Sequence, residues 1–178
     1  RDRSPSRGLG DVYKRQLQRL VIELTRRGHQ LCVCSLGGDD VIGEELAQQS
    51  IEVRTIGFRK HPSDLLKLGD LRRIVKSHQP DIVQTWMYHA DLAGGVMTRW
   101  FSGAPVVWGV RQSNLDSHRS KRLTRWVVAV SAWLSRWIPA RVIYCAIAAA
   151  RVHRQVGYVP RSEQVIQNGC DTAVFDGV

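Results

Sequence analysis

Short apolar runs of strand character alternate with stretches of helical period along most of the chain, and this alternation constrains the fold more than any other feature. Leu17, Leu20, Val21 and Leu24 fall at i, i+3, i+4 and i+7, one face of a helix that Gly28 stops. Residues 30–35 (QLCVCS) read as a buried strand, Gly37 and Gly38 turn the chain, 40–50 is a short helix, and 51–56 (IEVRTI) alternates as a strand. A basic loop, 57–62, leads into a helix over 63–78 with Leu65, Leu66, Leu68, Leu71, Ile74 and Val75 on its apolar face, and Pro80 ends it. Strand 81–86, helix 91–101, a stop at Gly103 and strand 105–110 follow. After a polar loop, 111–116, come a long helix over 121–137, strand 141–145, helix 146–156, strand 164–167 and a turn at Asn168 and Gly169. Connections of this length suit right-handed βαβ crossovers. The expected class is α/β: a doubly wound, Rossmann-like parallel sheet with helices on both faces.

With 178 residues, 43% of them hydrophobic, the chain can bury one full-sized core. Lys and Arg number 26 against 16 Asp and Glu, a formal charge of +10, of which +3 lies in the first sixteen residues. A basic balance suits an anionic small molecule, an anionic membrane surface or nucleic acid, and does not choose among them. Cys32, Cys34, Cys145 and Cys170 form no CxxC. Zinc would need further ligands at suitable spacing, none is evident, and no metal site is expected. The cysteines read as reduced core thiols of a cytoplasmic protein.

Residues 1–16 (RDRSPSRGLGDVYKRQ) are polar, Arg-rich and without evident apolar periodicity, and no apolar h-region makes them a signal peptide. Residues 6–16 resemble the in-frame translation of a sequencing-library adaptor. The expected organisation is therefore a non-native segment at 1–16, a Rossmann-like domain at 17–167, and at 168–178 the start of a hinge. A doubly wound domain opens on a strand, whereas this one opens on a helix. A first strand is accordingly expected to have preceded Leu17.

A P-loop, GxGxxG outside the adaptor-like segment, HExxH and GxSxG are all missing. The adjacent carboxylates Asp39 and Asp40, and Glu44 and Glu45, read as solvated surface. No D-x-D follows a strand, so a metal-held nucleotide sugar is not indicated.

Three segments together carry a resemblance. Residues 81–94 (DIVQTWMYHADLAG) give a strand, then Tyr88 and His89 at its carboxyl end, then a helix opening at Asp91. Residues 106–116 (VVWGVRQSNLD) give another strand ending in a polar loop. Residues 142–175 contain YCAIAAARVHRQVGY and VIQNGCDTAVF. This set resembles the N-terminal, acceptor-side half of a family 4 (group 1) glycosyltransferase of the GT-B fold. It is most similar to bacterial members that build lipopolysaccharide, capsule or other surface glycans. The resemblance covers about 17–175. It implies sugar transfer from a nucleotide-sugar donor to a glycan or lipid-linked acceptor, with retention of configuration, no metal and no cofactor. It also implies a glycine-rich donor loop before Leu17 and a donor-binding domain beyond Val178, so the chain alone is expected to be inactive.

Ligands of open α/β sheets bind outside the carboxyl ends of the strands, where His89, Arg111 and Asn114 all fall. The resemblance implies that His89 faces the transferred sugar or the reaction centre. An imidazole can donate to a sugar hydroxyl there or shuttle a proton near neutral pH. Tyr88 and Asp91 are further substrate-binding candidates, although Asp91 is equally a helix cap. Arg111 can pair with an acceptor phosphate or a local carboxylate, and Asn114 completes the substrate-binding set. Asn168, Gly169 and Asp171 resemble the family's NGxD turn at the hinge on the donor side, and Asn-Gly favours positive φ in a tight turn. His153, inside a helix, reads as packing. Gln84 and Trp86 stand where many relatives carry histidines, and Gln167 replaces the usual proline before the turn; both departures bear on the acceptor class.

The segment 118–137 (HRSKRLTRWVVAVSAWLSRW) places Arg119, Lys121, Arg122 and Arg125 ahead of Trp126, Trp133 and Trp137. Its apolar stretch is far shorter than the roughly 20 residues a membrane span needs. One reading is a sheet-covering helix with a solvated basic start, its stripe formed by Leu123, Trp126, Val127, Val130, Leu134 and Trp137. The other is peripheral contact with anionic lipid at the inner face of the plasma membrane. Two further functional readings stand beside sugar transfer: a GT-B-fold sugar-nucleotide epimerase, and a basic nucleic-acid-binding domain. The latter rests on charge alone, without a nucleic-acid motif, and nucleic acid is not an expected partner.

Overall fold

The computed structural model describes residues 5–38, 41–58, 64, 66–112 and 122–169. The chain divides into two compact units, Arg1–Gln79 and Pro80–Val178. The division follows Gln79, whose left-handed backbone (φ 43°, ψ 56°) ends the preceding helix just before Pro80.

The first unit runs α1 (Pro5–Arg26), β1 (Cys32–Ser35), α2 (Val41–Gln48), β2 (Glu52–Thr55) and α3 (Leu68–His78). Strands β1 and β2 pair in parallel, Cys32 opposite Glu52 and Ser35 opposite Thr55. Val21, Leu46 and Ile51 form the buried centre, with Leu17, Ile22, Leu31, Val33, Ile42 and Val53 packed around it. Gln18 donates to Glu45 at 2.6 Å, tying α1 to α2. Gly28 takes the left-handed conformation (φ 86°) just after α1, as its position in the sequence requires. Helix α1 begins at Pro5, well before the periodic face that starts at Leu17. Proline is favoured in the first helical turn, which suits the start at Pro5. Helix α3 begins five residues later than its apolar pattern suggested. Lys67 N–H instead donates to the Asp64 carbonyl, and Leu66 is 83% exposed rather than part of the apolar face.

The second unit runs β3 (Val83–Trp86), α4 (Tyr88–Phe101), β4 (Val106–Val110), α5 (Arg122–Leu134), β5 (Arg141–Tyr144), α6 (Ile147–Gln155) and β6 (Glu163–Val165). Its four strands are all parallel and lie in chain order, β3-β4-β5-β6. Among the described residues six strands and six helices thus alternate as the sequence indicates, and the strands pair in two sheets, of two and of four, rather than in one. Trp108, Val106, Val110, Val142 and Tyr144 fill the centre of the second unit with Tyr88, Ala149 and Tyr158. Helix α4 lies close on the sheet because glycine meets it there. A Cβ on Gly95 would stand 2.7 Å from Trp108 Nε1, and one on Gly94 would stand 3.1 Å from Thr85 Cγ2. Within the sheet, a Cβ on Gly109 would meet the Thr85 carbonyl at 2.9 Å.

Helix α5 buries a different face from the expected stripe. Val127, Val128, Ser131 and Ala132 turn inward, whereas Trp126, Trp133 and Trp137 are 62%, 64% and 43% exposed. Small residues permit a close approach of helix and core that indole rings would prevent. Among the described residues, no helix is long and apolar enough to cross a membrane.

Candidate functional site

In the second unit the site is built where β3 ends. Trp86 closes the strand and Tyr88 opens α4, so a single residue, Met87, makes the turn. Met87 has φ 77° and ψ 149°, a region that side chains other than glycine's rarely enter and that costs about 1–3 kcal/mol. It caps α4 without a side-chain hydrogen bond. The strained turn presents His89, in the first turn of α4, at the carboxyl edge of the sheet with its side chain exposed.

Tyr88 and Asp91 point the other way. The Tyr88 ring is buried and its hydroxyl lies 2.7 Å from His153 Nε2. His153 Nδ1 lies 2.7 Å from the Ala149 carbonyl, which can only accept, so Nδ1 carries the proton and Nε2 accepts from Tyr88. Burial pulls the His153 pKa down, consistent with a neutral ring. Tyr144 and Tyr158 pack on the same imidazole, with centroids 5.7 and 5.0 Å away. His153 is thus a core residue, as its helical position suggested, and it anchors the residue next to His89.

Asp91 is fully buried. It does not cap α4, because the helix opens three residues earlier. Its Oδ1 accepts from Thr85 Oγ1 at 2.5 Å, and its Oδ2 is buried with no hydrogen-bond partner among the described residues. Burial pushes the carboxyl pKa up to about 8, against a smaller lowering by the Thr85 hydroxyl. Tyr88 and Asp91 therefore support the turn that carries His89, and their polar atoms are engaged or enclosed in the core.

Arg111 leaves the end of β4 and lies over the Trp86 ring, 4.1 Å from its centroid. Its Nη1 donates to Asn168 Oδ1 at 2.9 Å, joining the end of β4 to the segment after β6. Its Nε is buried without a hydrogen-bond partner among the described residues, and burial draws the guanidinium pKa down. The structure thus brings Trp86, His89, Arg111 and Asn168 to one edge of the four-stranded sheet. Gly169 is exposed and lies outside the positive-φ region that an Asn-Gly turn favours. Asn114 and Asp171 lie outside the described residues.

Sequence reasoning singled out His89, Arg111 and Asn168 but missed the stacking platform at Trp86 and the buried Thr85–Asp91 pair. It missed the Tyr88–His153 bond as well. An aromatic residue at the end of a strand, three before a candidate histidine, is the only signal that could have pointed to Trp86.

In the first unit the carboxyl edge of β1 and β2 carries a shallow cavity of about 340 Å³, lined by Ser35, Gly38, Gly43, Glu44, Ala47, Val53 and Thr55. At the opposite edge of the same two strands, Cys32, Glu52 and His78 bring a sulfur, a carboxylate oxygen and a ring nitrogen within 4.8 Å of one another. Cys32, Cys34 and Cys145 are free thiols.

Crystal structures of Anabaena Alr3699/HepE resemble this chain. The structure with UDP and glucose has a TM-score of 0.70 at 19% identity, covering 90% of this chain and 42% of that one. The structure with UDP-glucose gives 0.69 at 20% identity with the same coverage. The structure with UDP gives 0.66 at 18%, covering 81% and 38%. The chain therefore spans about two fifths of the length of that protein. No curated protein sequence matches it. The α/β arrangement is that of one Rossmann-like half of a GT-B fold. The model of Glycosyltransferase Family 4 matches residues 14–174, nearly the whole chain, and the chain belongs to that family.

Proposed function

We propose that this chain is the acceptor-side half of an enzyme that transfers a sugar from a nucleotide-sugar donor to a glycan or lipid-linked acceptor, with retention and without a metal. The observation that carries the reading is the strained Met87 turn, which holds an exposed histidine at the carboxyl edge of a parallel sheet. Backbone strain of this kind persists where surrounding structure enforces it, and it concentrates at functional sites.

In this reading His89 donates a hydrogen bond to the transferred sugar or moves a proton at the reaction centre. Tyr88 and Asp91 act as positioning residues through His153 and Thr85. Arg111, stacked on Trp86, meets an acceptor phosphate through its guanidinium, and Asn114 lies three residues on in sequence. Asn168, Gly169 and Asp171 form the approach to the donor side. The fold shared with HepE, crystallised with UDP-glucose, supports a nucleotide sugar as donor. The exposed Trp126, Trp133 and Trp137 support a peripheral contact with anionic lipid, which fits a lipid-linked acceptor at the cytoplasmic face of the membrane. Surface glycans such as lipopolysaccharide or capsule are the proposed products.

The test is His89→Ala in the complete enzyme. A fall in kcat of roughly a hundredfold or more is expected, since a positioned acid or base contributes about 10²–10⁴. Unchanged kcat and KM would make His89 a bystander. Product analysis separates transfer from epimerisation of the donor.

A further inference from the structure

Cys32 and Glu52 are the first residues of β1 and β2 and stand opposite each other in the parallel register. Paired residues of adjacent strands project to the same face of a sheet. His78 is the last residue of α3, and its Nε2 lies 2.9 Å from Glu52 Oε2. The three ligand atoms, one from each residue, all lie within 4.8 Å of one another.

The surroundings orient these groups as ligands are oriented. His78 Nδ1 lies 3.0 Å from the Ile74 carbonyl, one turn back in the helix. That carbonyl can only accept, so it fixes the proton on Nδ1 and directs Nε2 at the cluster; metal-binding histidines are commonly held by such a second partner. Arg54 grips the other carboxylate oxygen, with Nε and Nη2 each 2.7 Å from Oε1, and leaves Oε2 toward the histidine. Cys32 is a half-buried free thiol. The group lies about 10 Å along the strands from Ser35 and Thr55, which line the cavity at the carboxyl edge.

We propose that Cys32, Glu52 and His78 form a three-ligand site for a borderline-soft divalent cation of the Zn²⁺ class, with the fourth position open to solvent. The mixed sulfur, nitrogen and oxygen donor set suits Zn²⁺ and disfavours Mg²⁺ or Ca²⁺, which take oxygen. Tetrahedral coordination at ordinary Zn–S, Zn–N and Zn–O lengths spaces the donors about 3.3–3.6 Å apart. The His78–Glu52 contact has therefore to open by only a few tenths of an ångström. On binding, the thiol releases its proton to solvent as Sγ bonds the metal, and the proton held between His78 Nε2 and Glu52 Oε2 is released as well, so that this contact gives way to two metal bonds. The metal would staple the end of α3 to the start of both strands, independently of the site proposed for sugar transfer.

Co²⁺ added to the 178-residue chain tests this directly. The expected result is a thiolate-to-cobalt charge-transfer band with visible bands of tetrahedral intensity, both displaced by Zn²⁺. Cys34→Ser retains the charge-transfer band, and Cys32→Ser loses it. His78→Gln and Glu52→Gln, at partly exposed positions, keep the far-UV circular dichroism of the parent chain and weaken Co²⁺ binding by roughly tenfold or more. No charge-transfer band in the parent chain overturns the proposal. So does a band that survives Cys32→Ser, or affinity unchanged in both His78→Gln and Glu52→Gln.

Discussion

Asp91 is enclosed completely, and the Thr85 hydroxyl is a single donor against four lone-pair directions of a carboxylate. The protonated form is the one such a place favours, hence the rise of its pKa to about 8. In the unfolded chain the same carboxyl titrates near 3.9. Between about pH 4 and pH 8 the native state therefore holds a proton that the unfolded state has lost. This group's contribution to stability is fully present below the unfolded pKa, declines as pH rises through the window, and levels off above the folded pKa. Asp91→Asn keeps an acceptor for Thr85 and removes the titration. The variant should be more stable than the parent at neutral pH by on the order of 1–3 kcal/mol. Its thermal midpoint should also fall less between pH 5 and pH 8. Thermal unfolding of both proteins across that range checks the sign, and parallel curves would show that Asp91 does not titrate in the window. None of this was legible in the sequence, where an acidic residue in a first helical turn reads as a cap. Met87 was equally silent, because a positive φ leaves a mark only when glycine or asparagine supplies it.

At the scale of elements, the order of strands and helices was legible because burial imposes a period of 2 or 3.6 on apolar side chains. Faces were less legible than spans. In α5 the stripe drawn from the largest apolar residues included Trp126 and Trp137, yet the helix buries Val127, Val128, Ser131 and Ala132. Hydrophobicity ranks the indoles first, but close packing favours the side chains that let the helix approach. Glycine makes the same point between α4 and the sheet. A methyl group on Gly109 would meet a backbone carbonyl that the strand ladder cannot move, and one on Gly95 would meet Trp108 and Ile138 Cγ2 at 3.1 Å. Gly109→Ala and Gly95→Ala should each cost about 1–3 kcal/mol by overpacking. Gly69→Ala in α3, with open space around it, should be neutral or slightly stabilising through helix propensity. Denaturant unfolding of the three variants separates packing from propensity. Equal midpoints would show that the sheet yields to the added methyl groups.

For the whole molecule, the sequence indicated which candidate residues stand at the carboxyl ends of strands but not what lies behind them. His89, Arg111 and Asn114 were candidates because loops at carboxyl ends are where open sheets bind ligands, and Asn168 because it resembles the NGxD turn. The Tyr88–His153 bond was not legible, since it joins residues 65 positions apart and needs the fold to bring them together. The membrane reading also belongs to this scale. In a helix with a solvated basic start and an inward aromatic stripe, the indoles would stabilise the core and offer lipid nothing. The structure turns them outward, with Trp133 and Trp137 in edge contact at 5.0 Å and Arg136 5.2 Å from the Trp137 ring centroid. Indoles favour the headgroup level of a bilayer, and basic residues near an anionic surface contribute about 1 kcal/mol each at moderate salt. A chain of net charge +10 should therefore float with vesicles containing anionic lipid, fail to float with neutral ones, and release as salt is raised. Trp126→Ala with Trp133→Ala should weaken flotation at every salt concentration while leaving the thermal midpoint nearly unchanged, because both rings are already in water. If the double variant floats like the parent, attraction is by charge alone and the indoles take no part. If neither protein floats, the basic helix is a solvated face and the exposed indoles no longer support a lipid-linked acceptor over a soluble glycan.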